Sequence, residues 1–246
     1  MKIGLVQFIS EKGDVSKNIE NHLKFIRIAI QQKANVIVFP ELSITGFEPT
    51  LAKELAVVLD DSRFNAFQDL ANAEEVTIGV GMPTKASDGI NISMMIFRPH
   101  KERMLYSKQI LHEDEFPYFV SGKKEAFFTI DGKKIALGIC YETMQERHIR
   151  HAVSCKADVY LASVAKSKIG VEKAYAHFPK MAKELNIPIL MSNSVGPSDN
   201  FISAGKSAVW NRKGERLSQL NEDDMGILIY DTELEEVQSF LRGAVI

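Results

Sequence analysis

The stretch "IALGICYETM", Ile135 to Met144, decides how this chain is read. An apolar, strand-like run ends in a cysteine, and a tyrosine and a glutamate follow at once. In α/β sheets, functional groups collect beyond the carboxyl ends of strands. A thiol at such an end is therefore placed to react. Taken alone, however, Cys140 reads first as a small core hydrophobe, because free cysteines are often buried. What decides between the two readings is what the chain puts at its other strand ends.

Moving outward, "KIGLVQF" reads as a buried strand, and "NIENHLKFIRIAIQQKA" carries Ile19, Leu23, Ile26 and Ile30 at helical spacing. "NVIVFP" is a short β-branched strand stopped by Pro40. "RFNAFQDLANAEE" suggests a helix, followed by the strands "VTIGVGM", "NISMMIF", "RMLYSK", "AFFTI" and "KKIALGIC". "DGKK" at 131–134 is a hairpin-type turn. "QERHIRHAVSCKA" reads as a helix and "DVYLAS" as a strand. "VEKAYAHFPKMAKELN" is a helix with Val171, Ala174, Tyr175, Phe178, Ala182 and Leu185 on one face, and Pro179 inside it predicts a kink or a break. "IPILMSN", "KSAVWN", "GERLSQ" and "GILIYD" close the chain as strands. Helices alternate with apolar strands at both ends, and strands follow one another in the middle. That is an α/β pattern with some antiparallel pairing.

Composition narrows the function classes. The chain has 246 residues, 45% apolar and 25% charged, with a formal net charge of -2. No basic footprint suggests nucleic acid as a partner. The opening "MKIGLVQFIS" lacks a signal peptide's longer apolar core, and no run is long enough to span a membrane. Two cysteines make no disulfide framework at this length, so a reducing cytoplasmic setting is expected. No linker or repeat divides the chain, which predicts one domain over 1–246.

Three strand ends stand out. Glu41 follows "NVIVFP", Lys108 follows "RMLYS", and Cys140 follows "KIALGI". These residue types fit one chemistry. A free thiol has a pKa of about 8.5, so little of it is thiolate at neutral pH. A nearby carboxylate can take the thiol proton as attack begins, and a lysine ammonium can stabilise both the thiolate and an oxyanion. The protonated carboxyl can then protonate a leaving amine and later activate water against a thioester. This is acyl transfer without histidine. A papain-like Cys–His site is not supported, since its local signature around the cysteine is missing. Cys155 lies near His148 and His151 at a spacing that could mimic a metal site, but no second ligand cluster supports one, so no metal is expected.

"VIVFPELSITGF", "YSKQILHEDEFPYFVSG" and "IALGICYETM" together resemble the three signature blocks of the nitrilase superfamily, the carbon-nitrogen hydrolases. "MSNSVG" at 191–196 and "SAGKSAVWNRKGE" at 203–215 extend the likeness over essentially the whole chain. The resemblance implies a four-layer α-β-β-α sandwich. It implies Glu41 as general base, Lys108 as oxyanion-stabilising cation and Cys140 as nucleophile. It also implies a second active-site glutamate seven residues before a glycine. Counting back from Gly122 gives Glu115, with Glu113 as its competitor. The backbone N–H of Tyr141 would complete the oxyanion hole.

The likeness departs after the cysteine. Many relatives have arginine four residues on, followed by Phe-Pro-Glu, whereas this chain has Met144-Gln145-Glu146-Arg147, with Arg150 still fitting a common pattern. Tyr141 stands where nitrile-hydrolysing members have tryptophan, which leans towards an amide or carbamoyl substrate. Tyr141, Glu142, Met144, Ser163 and Lys166 are the candidate substrate-binding residues. The expected activity is hydrolysis of a small amide, without metal or organic cofactor, in a homodimer. An N-carbamoyl amide hydrolase, a nitrilase and a non-catalytic binding module that kept the fold are the alternatives.

Overall fold

Side chains alternate across each strand, and in this chain both faces are apolar. The computed structural model describes residues 1–123 and 127–241. Ala126, at the start of the predicted strand "AFFTI", and the last five residues of the expected domain lie outside the described residues.

The first sheet has seven strands. In spatial order they are Glu236–Leu241, Gly226–Asp231, Lys2–Gln7, Val36–Val38, Thr77–Ala86, Gly89–Phe97 and Met104–Ser107. The second has six: Arg216–Gln219, Ala208–Trp210, Ile189–Asn193, Val159–Val164, Lys133–Ile139 and Phe127–Ile130. Each sheet contains three neighbouring parallel strands with antiparallel pairs outside them.

Alternation then sets four layers. Ile3, Leu5, Val36 and Val38 of the first sheet pack against Ile135, Leu137, Ile139, Leu161 and Leu190 of the second. The intervening Val6 and Ile37 face outward to the helix Val15–Gln31, through Phe25, Ile26 and Ala29, and to the helix Asn65–Glu74, through Phe67 and Ala71. On the opposite side, Ala136, Tyr160 and Ala162 face the helices Glu146–Ser154 and Lys168–Leu185. This is the α-β-β-α sandwich.

Several expectations change in detail. The buried stripe of the first helix is Asn18, His22, Phe25, Ile26 and Ala29, while Ile19, Leu23 and Ile30 are half-buried. Two polar residues occupy core positions because each finds partners across the fold. The Asn18 amide donates to Glu11 O and Ile44 O, and His22 Nε2 meets Ser43 Oγ at 2.9 Å. Burial holds His22 neutral, with its pKa lowered to about 3. Of the kink or break expected at Pro179, the break is not found: one helix runs over Lys168–Leu185. Buried Ala174 and Phe178 before the proline, and Met181 and Ala182 after it, hold both halves to the sheet. The strands Val195–Ser198, Phe201–Ala204 and Glu236–Leu241 were not expected. At "DGKK", Asp131 and Gly132 both have positive φ, as a two-residue hairpin turn requires.

Candidate active site

The strand Lys133–Ile139 stops one residue earlier than the sequence suggested. Cys140 opens a 3₁₀ turn, Cys140–Met144, with φ of 44°. A non-glycine residue in this left-handed region costs on the order of 1–3 kcal/mol and persists only where its surroundings fix it. Glu142 does much of the fixing. Its buried carboxylate accepts from Ile139 N–H at 2.7 Å, just before the cysteine. It also accepts from Gln109 N–H at 2.8 Å, just after Lys108, and from the Tyr106 hydroxyl. Thr143 Oγ1 donates to Cys140 O at 2.6 Å. Strain at the thiol and the course of the Lys108 segment are thus set by one carboxylate.

The Glu41 end is built differently. Glu41 begins a turn in which Leu42 has φ of 52°, and Ile44 N–H donates to Gly81 O. A Cβ on Gly81 would lie 2.4 Å from Leu42 N and 2.5 Å from Pro40 O, so only glycine lets this turn close. Ser43 Oγ, held by His22, and Ser163 Oγ, donating to Phe39 O at 2.9 Å, tie the segment to the first helix and to the second sheet.

Lys108 is fully buried and bridges two carboxylates, Glu41 Oε1 at 2.8 Å and Glu115 Oε1 at 2.6 Å. Glu115 Oε2 accepts from His112 N–H at 2.8 Å, whereas Glu113 is exposed. The geometry therefore puts Glu115 at the lysine. The glycine from which Glu115 is counted packs on the lysine segment. Gly122 N–H donates to Lys108 O at 2.7 Å, and a Cβ on Gly122 would sit 2.2 Å from Ser107 O. Any side chain there would push the lysine segment away.

Electrostatics follow from this burial. Desolvation opposes the Lys108 ammonium, but Glu41, Cys140 and Glu115 together override it and raise its pKa. Burial, with help from the Glu41 charge, raises the Glu115 pKa against the pull of Lys108. Burial and then Glu41 push the Cys140 thiol from 9.0 up to about 11, against the opposing pull of Lys166 and Lys108. The resting thiol is therefore protonated at neutral pH and needs a base. Glu41 Oε2 is buried and has no hydrogen-bond partner among the described residues. It is the oxygen free to take a proton.

A cavity of about 330 Å³ opens over Cys140 and Glu115. Tyr141, Met144 and Lys166 line it, together with Phe47, Phe201 and Lys173, which the sequence did not single out. They come from loops, a 3₁₀ turn, a helix and a strand distant in the chain, so no local pattern announces them. Two expected lining residues lie elsewhere. Glu142 is buried on backbone N–H groups, and Ser163 is spent on Phe39 O. Both shape the site from behind and do not line the cavity. Asn193 of "MSNSVG" accepts from Lys166 N–H at 2.8 Å and donates to Gly205 O, joining two of the loops around the cavity.

His148 meets Tyr160 and Tyr106 hydroxyls, and among the described residues no cluster of three metal-type ligands occurs. No helix among the described residues is long and apolar enough to cross a membrane.

A family model described as carbon-nitrogen hydrolase matches residues 2–242. The chain is 25% identical over 221 residues to a glutamine-dependent NAD(+) synthetase of Acinetobacter baylyi, covering 87% of this chain and 41% of that protein. It thus spans about two fifths of the length of that relative. A Staphylococcus aureus protein called hydrolase in agr operon is 26% identical, with 97% of this chain and 93% of that protein covered. Among solved structures, an amidase from Nesterenkonia sp. AN1 superposes with a TM-score of 0.84 at 22% identity, covering 94% of this chain and 92% of the other.

Proposed function

This chain belongs to the carbon-nitrogen hydrolase family, and we propose that it is a single-domain amidase that cleaves a small amide through a thioester on Cys140. Cys140 Sγ attacks the amide carbon while Glu41 Oε2 takes the thiol proton. Lys108 Nζ and the Tyr141 N–H hold the oxyanion. The first N–H groups of a helical turn have no partner within the turn, which leaves the Tyr141 donor for this task. Glu41, now protonated, gives its proton to the departing nitrogen, and ammonia or an amine leaves. Glu41 then activates a water that releases the carboxylic acid and restores the thiol. Glu115 keeps Lys108 oriented and charged.

The observation that carries this reading is the unpartnered, buried Glu41 Oε2 beside a thiol held protonated by burial. A base with a free oxygen and a nucleophile that needs one are complementary. A homodimer in the reducing cytoplasm is the expected setting, on the family resemblance and two free thiols. Tyr141 favours an amide or a carbamoyl compound over a nitrile, and product analysis separates those two.

The test is ammonia release from a panel of simple amides, ω-amides, N-carbamoyl compounds and nitriles, with Cys140→Ala beside the wild type. Ammonia without carbon dioxide, lost by at least about 10⁴-fold in the variant, supports the amidase. Equal release by the variant would sink the mechanism. Carbon dioxide formed with the ammonia would move the assignment to a carbamoyl hydrolase.

A further inference from the structure

Lys166 is a second lysine at the sulfur, and the reaction above does not use it. Its residue is only 6% exposed, and its Nζ lies 3.9 Å from Cys140 Sγ. Among the described residues it forms no ion pair, and a neutral thiol is a poor partner for a buried ammonium. Burying a charge without a counter-charge is costly. Lys108 shows the contrast, with two carboxylates within hydrogen-bond distance. Of the carboxylates along the same cavity, Glu115 is bound to Lys108, and Asp114 is exposed and hydrogen-bonded to the His112 ring; neither pairs with Lys166 among the described residues. Lys173 adds another cation to the wall. The cavity therefore offers, next to the nucleophile, a buried lysine with no carboxylate paired to it among the described residues.

Resting on the amidase reading, we propose that Lys166 binds a carboxylate on the acyl part of the substrate, so that the substrate is the monoamide of a short dicarboxylic acid. An oxygen at charge-assisted hydrogen-bond distance from Nζ, about 2.8 Å, lies within about 7 Å of the sulfur. That span fits a carboxylate separated from the scissile carbonyl by about two or three carbons. Longer chains do not fit between these two points without folding back in a cavity of about 330 Å³. The apolar Phe47, Met144 and Phe201 cover the methylenes. Neutral amides of the same length leave the ammonium without a partner, and a site with an unpaired buried polar group discriminates against them.

Two alkylating probes read the anion preference at the thiol itself. Iodoacetate and iodoacetamide differ in charge, and Cys155 serves as the reference thiol in the same molecule. Labelling of each cysteine is followed by peptide mass spectrometry. In the wild type, the iodoacetate-to-iodoacetamide rate ratio at Cys140 should exceed that at Cys155 by at least about tenfold. Lys166→Met should bring the two ratios within about twofold, and Lys166→Arg should keep part of the preference. Ammonia release gives the second arm: the succinamate-to-butyramide ratio of kcat/KM should fall at least about tenfold in Lys166→Met. If wild-type Cys140 shows no preference over Cys155, the proposal is overturned. It is also overturned if Lys166→Met slows both amides by the same factor and moves the pH profile of alkylation, since Lys166 would then serve the sulfur. Should iodoacetate preference stand while no amide yields ammonia, the anion site is retained and the amidase reading fails.

Discussion

Two lysines flank one sulfur, and they are solved by the fold in opposite ways. Lys108 is sealed in, with Glu41 and Glu115 at 2.8 and 2.6 Å, and its charge is matched before any substrate arrives. Lys166 is nearly as buried, lines the cavity, and has its Nζ 3.9 Å from the thiol sulfur. A saturated cation is machinery whose position must not vary. An unsaturated one is a vacancy for a ligand, kept because binding supplies what the fold omits. On the proposed mechanism, the same residue type serves catalysis on one side of Cys140 and recognition on the other.

The sharpest way to break this comparison is to remove each ammonium in turn. Lys108→Met strands two buried carboxylates, and breaking a buried pair from one side costs about 3–5 kcal/mol. Thermal melting should therefore drop clearly, and hydrolysis should fall by at least about 10³-fold with the oxyanion cation gone. Lys166→Met strands no carboxylate, so its melting temperature should stay at or above the wild-type value. Equal destabilisation by the two substitutions, measured by calorimetry, would show that Lys166 has a structural partner and would end the distinction.

Much of the Lys108 side was legible in the sequence, and much of the Lys166 side was not. Glu41, Lys108 and Cys140 stood out because short apolar runs end abruptly in reactive residue types. Glu115 could be reached only through the seven-residue count that the family resemblance implies, because the acidic run around it offers Glu113 as well. Patterning gave an α/β chain with some antiparallel pairing, and the four-layer sandwich was implied only by the family resemblance, because periodicity does not say how sheets stack. What local pattern could not supply was the destination of polar side chains. Asn18 and His22 look like solvent-facing helix residues until Ile44 and Ser43 meet them. Glu142 and Ser163 sit beside the right strand ends, yet they point into backbone donors and acceptors. The cavity wall was illegible for a similar reason, since Phe47, Lys173 and Phe201 converge only after both sheets stack.

Glu41→Gln tests whether the saturated side also supplies the base. The amide keeps a hydrogen-bond acceptor for Lys108 but cannot take the thiol proton. Activity at pH 7 should fall by about 10²- to 10³-fold. The residual rate should climb with pH as hydroxide replaces the missing base, up to the thiol pKa. That pKa should lie below about 11, because the Glu41 charge is one of the causes that raise it. The same shift has a stability consequence. A thiol whose folded pKa lies above its unfolded value contributes stability that is complete below about pH 9 and is lost as pH rises towards 11. Comparing wild type with Cys140→Ser over that window isolates the contribution. A flat difference would show that the thiol is not desolvated.

The smallest effect expected is also the most specific. Glu142 holds Gln109 N–H and Ile139 N–H, so it links the Lys108 segment to the cysteine turn, and among the described residues it forms no hydrogen bond or ion pair with Lys166. Glu142→Gln keeps the size but turns one acceptor oxygen into a donor facing backbone N–H groups. The turn at φ of 44° should loosen, and kcat should fall by about 10- to 100-fold with little change in KM. Selectivity between anionic and neutral amides is a property of Lys166 and should move far less than kcat does. If the selectivity ratio collapses in step with kcat, the two lysines share one scaffold, and the division of labour between them is not built into the fold.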